Sequence, residues 1–213
     1  MTSEFLLALD VSTTTIGIAL FEYINNKVTL KHLTQITPKV KSKDSKNKNE
    51  ELFLKVDLFE KEFISQYKDL NITKIAIEEP LLQSNNVYTI ATLLKFNGML
   101  SKCVYDRFHV LPDYISSYDA RKYAFPELMA VRRFKKDGTP LTEKAINKNK
   151  PVLFGSYPFE ADKKYILWEK VAEHEPHITW EYKNNKLKKE TFDMSDAYVV
   201  GKGYMNKENI WQC

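Results

Sequence analysis

The stretch Phe5-Leu6-Leu7-Ala8-Leu9-Asp10-Val11-Ser12-Thr13-Thr14-Thr15-Ile16-Gly17 sets the first limit on the fold. An unbroken apolar run reads as a buried strand, and this one ends on an acid. The Ser-Thr cluster that follows is turn chemistry. Residues 15–23, Thr-Ile-Gly-Ile-Ala-Leu-Phe-Glu-Tyr, read as a second strand. Asn25-Asn26 is a turn signal, and Val28–Gln35 alternates like a third strand. The chain therefore opens with an antiparallel meander.

Beyond it the pattern changes. Residues 39–49 are polar and lysine-rich, the composition of a mobile loop. From Glu50 to Tyr67 the positions Leu52, Phe53, Val56, Phe59, Phe63 and Ile64 follow helical spacing, and Lys74–Glu78 returns to strand. Ser84 or Asn85 caps a further helix running to about Asp106. Phe108–Leu111 reads as a strand, and Ser116 or Ser117 caps a short helix carrying Arg121 and Lys122. Residues 126–161 are rich in proline and turn signals, including Asp137-Gly138. A helix resumes near Ala161 and stops before Pro176, a hairpin forms around Asn184-Asn185, and the last helix begins near Asp193. Strands followed by alternating helices and strands predict an α/β domain with a mixed sheet. The expected organisation is a single domain over 1–213 with an extended basic insertion at about 126–161.

The 213 residues suffice for one sizeable core, and 43% hydrophobic with 28% charged is ordinary for a globular chain. A formal charge of +4 permits a polyanionic partner without requiring one. Two cysteines, Cys103 and Cys213, exclude a multi-bridge framework and a Cys-x-x-Cys zinc site, which points to a reduced intracellular protein. No apolar run approaches the roughly eighteen residues of a membrane span. The N-terminal apolar stretch is short and lacks a basic lead, so a cytoplasmic location, in a bacterium or a virus-infected host cell, is expected rather than secretion. His174 and His177 have a zinc-like spacing but straddle Pro176 and have no partner cysteines.

Four acids stand out. Asp10 and Glu78 end apolar runs, and Asp193 and Asp196 lie three apart in Phe192-Asp193-Met194-Ser195-Asp196-Ala197. Carboxylates at strand ends and on one helix face can meet in space, and such a set of hard oxygens suits Mg²⁺ or Mn²⁺. The local alternatives stay open: Asp10 as a turn residue, Glu78 as the partner of a lysine, Asp193 as an N-cap with Asp196 in the first helical turn.

Taken together, three segments resemble the RuvC-like Holliday junction resolvases of the ribonuclease H-like superfamily. Leu9–Gly17 is similar to the family's first-strand Asp and its small-residue turn. Ile75-Ala76-Ile77-Glu78-Glu79 is similar to the "IE" ending the fourth strand, and Asp193-Met194-Ser195-Asp196-Ala197 to the Asp-x-x-Asp-Ala of the C-terminal helix. The resemblance implies a five-stranded mixed sheet flanked by helices, and makes Asp10, Glu78, Asp193 and Asp196 the ligands of two Mg²⁺ ions. It also implies a homodimer built on the helix at about 85–106 that acts on four-way DNA junctions. Ala161-Asp162-Lys163-Lys164-Tyr165 is similar to the opening of the family's next helix, which brings Lys163 or Lys164 towards DNA. The family's junction-facing aromatic falls at Leu81 here, leaving Phe96 or Tyr88 as substitutes. The Lys- and Asn-rich composition fits a viral or low-GC source.

Arg132, Arg133, Lys135 and Lys136, with Lys122, are the further expected DNA contacts, binding phosphates without reading sequence. The lysines of 39–48 read as a solvent-exposed loop. Other functions share parts of the pattern: a non-catalytic DNA-binding module, a ribonuclease on RNA–DNA hybrids, and a sugar-kinase or actin-like ATPase. The chain is too short for the last of these, which needs two domains around a nucleotide.

Overall fold

A computed structural model describes residues 3–81 and 86–211. The chain opens with β1 (Glu4–Val11), β2 (Ile16–Ile24) and β3 (Lys27–Ile36). Asn25 and Asn26 both take left-handed backbone, at φ 53° and 60°, as the tight β2–β3 hairpin demands. Helix α1 (Lys48–Glu62) follows, with the Asn47 side chain accepting from the Glu50 N–H, and leads into β4 (Ile72–Glu78). Helix α2 (Val87–Phe108) is capped by Asn86, and the expected caps Ser84 and Asn85 lie outside the described residues. Then come β5 (Asp113–Ile115), α3 (Ser117–Ala124), β6 (Met129–Val131), α4 (Glu143–Ile146) and β7 (Pro151–Leu153). Helix α5 (Lys163–His174), the hairpin strands β8 (Tyr182–Lys183) and β9 (Lys186–Leu187), and α6 (Lys189–Lys207) complete the order.

The main sheet has the order β3-β2-β1-β4-β5. Its first two pairings are antiparallel, whereas β1–β4 and β4–β5 are parallel, so the expected mixed five-stranded sheet is observed. Side chains alternate between its faces. Leu7, Leu9, Ile75 and Ile77 pack against Phe59 of α1 and Phe96 of α2. Leu6, Ala8 and Ala76 pack against α3, α5 and α6 through Ala120, Leu167 and Ala197. The sheet is therefore buried on both faces, which explains the unbroken apolar runs.

Several boundaries differ from the sequence reading. Phe108–Leu111 is not a strand: α2 runs on to Phe108, His109 terminates it with left-handed backbone at φ 56°, and the strand forms at Asp113–Ile115. The lysine-rich 39–49 loop ends earlier than expected, with α1 already helical at Lys48. The final helix starts at Lys189, one turn before Asp193. Trp168 is only half-buried and packs beside Tyr165 and Trp180, whereas Phe59 and Phe63 are fully internal. The 126–161 segment is structured as the β6–β7 pair, with α4 between them.

Candidate metal centre

Strand parity brings two of the four acids together. On β1, Leu6 and Ala8 face α6, so the next residue of that parity, Asp10, points to the same side. On β4 the same step runs from Ala76 to Glu78. The parallel register pairs Ala8 with Ala76 and Leu9 with Ile77, which sets Asp10 beside Glu78 at the carboxyl ends of adjacent strands.

Helix α6 supplies the other two. Asp193 and Asp196, at i and i+3, share one helix face. The helix reaches them to Asp10 because Gly17, the cross-strand partner of Asp10, has no side chain to hold it off. Carboxylate oxygens of Asp10, Asp193 and Asp196 all lie within 4.8 Å of one another. Asp193 sits in the second turn of α6, whose N-cap is Lys188, so the N-cap reading of Asp193 does not hold.

The β1–β2 turn is fixed from within and from outside. The Ser12 hydroxyl accepts the N–H of Thr15 at 2.9 Å, and the Ser12 N–H donates to the Thr15 carbonyl at 3.0 Å. Lys55 of α1 donates to the Thr13 carbonyl at 2.8 Å while paired with Glu51 at 2.8 Å. A lysine this buried is uncommon without a partner, and here its charge is both paired and hydrogen-bonded.

The acids strain one another electrostatically. Burial, and then the charges of Glu78, Asp196 and Asp193, hold the Asp10 carboxyl well above the usual range. Burial, reinforced by Asp196, pushes Glu78 up to about 7, against the pull of Arg121 and Lys164. Burial also raises Asp193, with Lys164 opposing it. Two cations reach into the same recess. Lys164 Nζ lies 3.4 Å from Asp196 and 3.7 Å from Asp193, and Arg121 lies 3.5 Å from Asp196. Hard oxygen donors in mutual repulsion, partly offset by these cations, suit a small divalent ion.

The remaining candidates separate. Lys164 faces the acids, while Lys163 lies over the Phe154 ring at 5.8 Å. Arg133, Lys135 and Lys136 are exposed, and Lys122 is half-buried over the Tyr123 ring. Arg132 is engaged internally: Nη1 donates to the carbonyls of Phe154 (3.2 Å) and Tyr157 (3.0 Å), and the guanidinium stacks on Phe159. It ties the 126–161 segment together instead of presenting a free charge. Phe96 is fully buried in the core and cannot serve as a junction-facing aromatic, whereas Tyr88 and Leu81 are 74% and 62% exposed. His174 packs edge-on to Phe125 and faces Lys202 at 3.1 Å, an environment hostile to a metal ion. Sequence reasoning gave no role to Arg121 or Lys55, because each partner is distant in the chain and no local spacing announces the contact.

No protein-family model matches the chain, and no curated protein matches it either. Solved structures do. Thermus thermophilus RuvC in complex with a Holliday junction substrate superposes with a TM-score of 0.55 at 7% identity, over 97% of this chain and 95% of that one. A second Thermus thermophilus RuvC structure gives 0.53 at 10%, over 96% and 95%. The yeast mitochondrial Holliday junction resolvase Ydc2 gives 0.50 at 12%, over 96% of this chain and 78% of that one. The chain has the RuvC-like resolvase fold. The match spans nearly the whole chain, including the elements that carry the four acids.

Proposed function

We propose that this chain is a divalent-metal-dependent endonuclease that cleaves four-way DNA junctions or related branched DNA as a homodimer. One observation carries the reading: three carboxylates from two separate elements converge within 4.8 Å at a strand end, with Glu78 alongside on the neighbouring strand. In the resolvase fold that constellation has a straightforward use. Asp10, Glu78, Asp193 and Asp196 would hold Mg²⁺, with Mn²⁺ as a substitute, and four carboxylates are donors enough for two ions. Bound Mg²⁺ supplies positive charge for the attacking and leaving oxygens of a phosphodiester and makes water a better nucleophile. Lys164 and Arg121, at the rim of the recess, are placed to hold non-bridging phosphate oxygens once the acids are neutralised. Exposed Arg133, Lys135 and Lys136 are placed to contact phosphates of a DNA arm. Among the described residues, Tyr88 and Leu81 are both exposed beyond the end of β4 and are available to press on bases at a junction centre.

The deciding experiment compares labelled four-way junction, flap, plain duplex and RNA–DNA hybrid with Mg²⁺, Mn²⁺ or EDTA, using wild type and Asp10→Asn. Paired nicks in the junction, lost in the variant and in EDTA, support a resolvase. Preference for the hybrid keeps the metal site and replaces the substrate. Junction binding without cleavage under any metal leaves a binding module.

A further inference from the structure

The β8–β9 hairpin lies between α5 and α6, and nothing in the metal site uses it. Its turn residues Asn184 and Asn185 both adopt left-handed backbone, at φ 51° and 59°, so the hairpin is tightly closed. Together with the end of β3 and the segment after it, the hairpin walls a cleft of about 840 Å³. Five lysines line this cleft, Lys39, Lys183, Lys186, Lys188 and Lys189, against two glutamates, Glu181 and Glu190. Lys188 is neutralised by Glu181 at 2.5 Å. Lys39, Lys183, Lys186 and Lys189 are exposed and form no ion pair among the described residues.

Two independent paths join this cleft to the acids. Across the sheet, Gln35 in the cleft pairs with Gly17, and Gly17 pairs with Asp10. Two inter-strand spacings place Gln35 roughly 10 Å from Asp10, about three base-pair rises of duplex DNA. Along α6, Lys189 precedes Asp193 by one turn on the same face, a rise of about 6 Å. The cleft therefore begins roughly 10 Å from the acids, and its unpaired charges are of the sign that a polyphosphate seeks.

We infer that the β8–β9 hairpin, with Lys39 opposite it, is a second nucleic-acid contact that grips the phosphodiester backbone leading away from the cleaved bond. The lysines act as point charges on phosphates and read no sequence. Lys39 thus belongs to a binding surface, not to a loop that only faces solvent. The inference rests on the nuclease reading for the nature of the polymer, and on the cleft alone for the place.

The test is fluorescence anisotropy in EDTA with a labelled four-way junction and a matched duplex, over a range of salt. Lys39→Gln/Lys183→Gln/Lys186→Gln is compared with wild type and with Lys27→Gln/Lys68→Gln, exposed lysines at the opposite end of the sheet. Each lost phosphate contact makes the plot of log K against log [salt] shallower by about 0.9. The triple variant is expected to lose about 2 to 3 from that slope on both DNAs, and the control none. Single Lys183→Gln and Lys186→Gln variants, each expected to lose about 0.9, keep the comparison valid should the triple variant misfold. Slopes equal to wild type would overturn the cleft. Equal affinity of the wild-type protein for junction and duplex counts against the junction reading instead, while the slopes on duplex still decide the cleft.

Discussion

Gly17 and Asp193 are in backbone contact: a Cβ placed on Gly17 would stand 1.9 Å from the Asp193 carbonyl oxygen. The approach of α6 to β2 depends on that missing methyl, and with it the meeting of Asp193 with Asp10. Gly201, two turns on, repeats the arrangement over Phe21 and Ala8.

Gly17→Ala is therefore expected to push α6 off the sheet. Overpacking of this kind costs about 1–3 kcal/mol, and each kcal/mol lowers Tm by roughly 2–4 °C in a chain of this size. Cleavage should fall further than the stability loss explains, because the acids separate. Calorimetry and metal titration of the same variant check both parts; unchanged Tm and metal affinity would contradict the packing argument.

The metal-free protein should become less stable as pH rises from about 4.5 to 7. Glu78 has its folded pKa raised from 4.5 to about 7, and Asp10 is raised as well. Across that window the native state keeps protons that the unfolded chain has released, so the slope of unfolding free energy with pH is negative. Mg²⁺ should remove the dependence by replacing those protons, and Glu78→Gln should flatten it in EDTA. Melting curves across the window, with and without Mg²⁺, read this directly; a Tm in EDTA that climbs with pH there goes against the repulsive cluster.

Lys164 and Arg121 predict a separation of binding from turnover. Lys164→Gln and Arg121→Gln are each expected to reduce the cleavage rate by roughly 10–100-fold, the scale seen when partners of metal ligands are removed. Junction affinity in EDTA should change much less, because one charge among many contributes little to backbone binding. Single-turnover rates beside anisotropy measure the split. An equal loss in both would make these residues ordinary phosphate contacts.

The helix face for a second copy is also open to test. Leu94 on α2 and Phe53 on α1 are 45% and 58% exposed, and a cleft of about 660 Å³ between the helices is lined by Phe53, Met99 and Cys103. Apolar exposure of this kind suits a partner subunit. Wild type is expected at twice the 24.9 kDa chain mass by light scattering, and Phe53→Glu/Leu94→Glu at the chain mass with weakened junction binding. A wild-type protein already at the chain mass removes the dimer.

Much of this was legible along the chain. Unbroken apolar runs at Phe5–Leu9 and Ile75–Ile77 announced strands covered on both faces, and the paired asparagines at 25–26 and 184–185 announced tight hairpins, because local backbone chemistry decides both. The acids were legible too, since each closes an apolar run or follows helical spacing. The tertiary structure alone decided that parity turns Asp10 and Glu78 to one face, that Gly17 admits α6, and that Arg121 and Lys164 aim into the acids. It also turned Arg132 inward onto Phe159 and joined Lys39 to a hairpin far along the chain. Local pattern specifies what a residue does to its own backbone; which distant charge it meets depends on register and helix approach, and those are set only when the sheet and its two helical layers close.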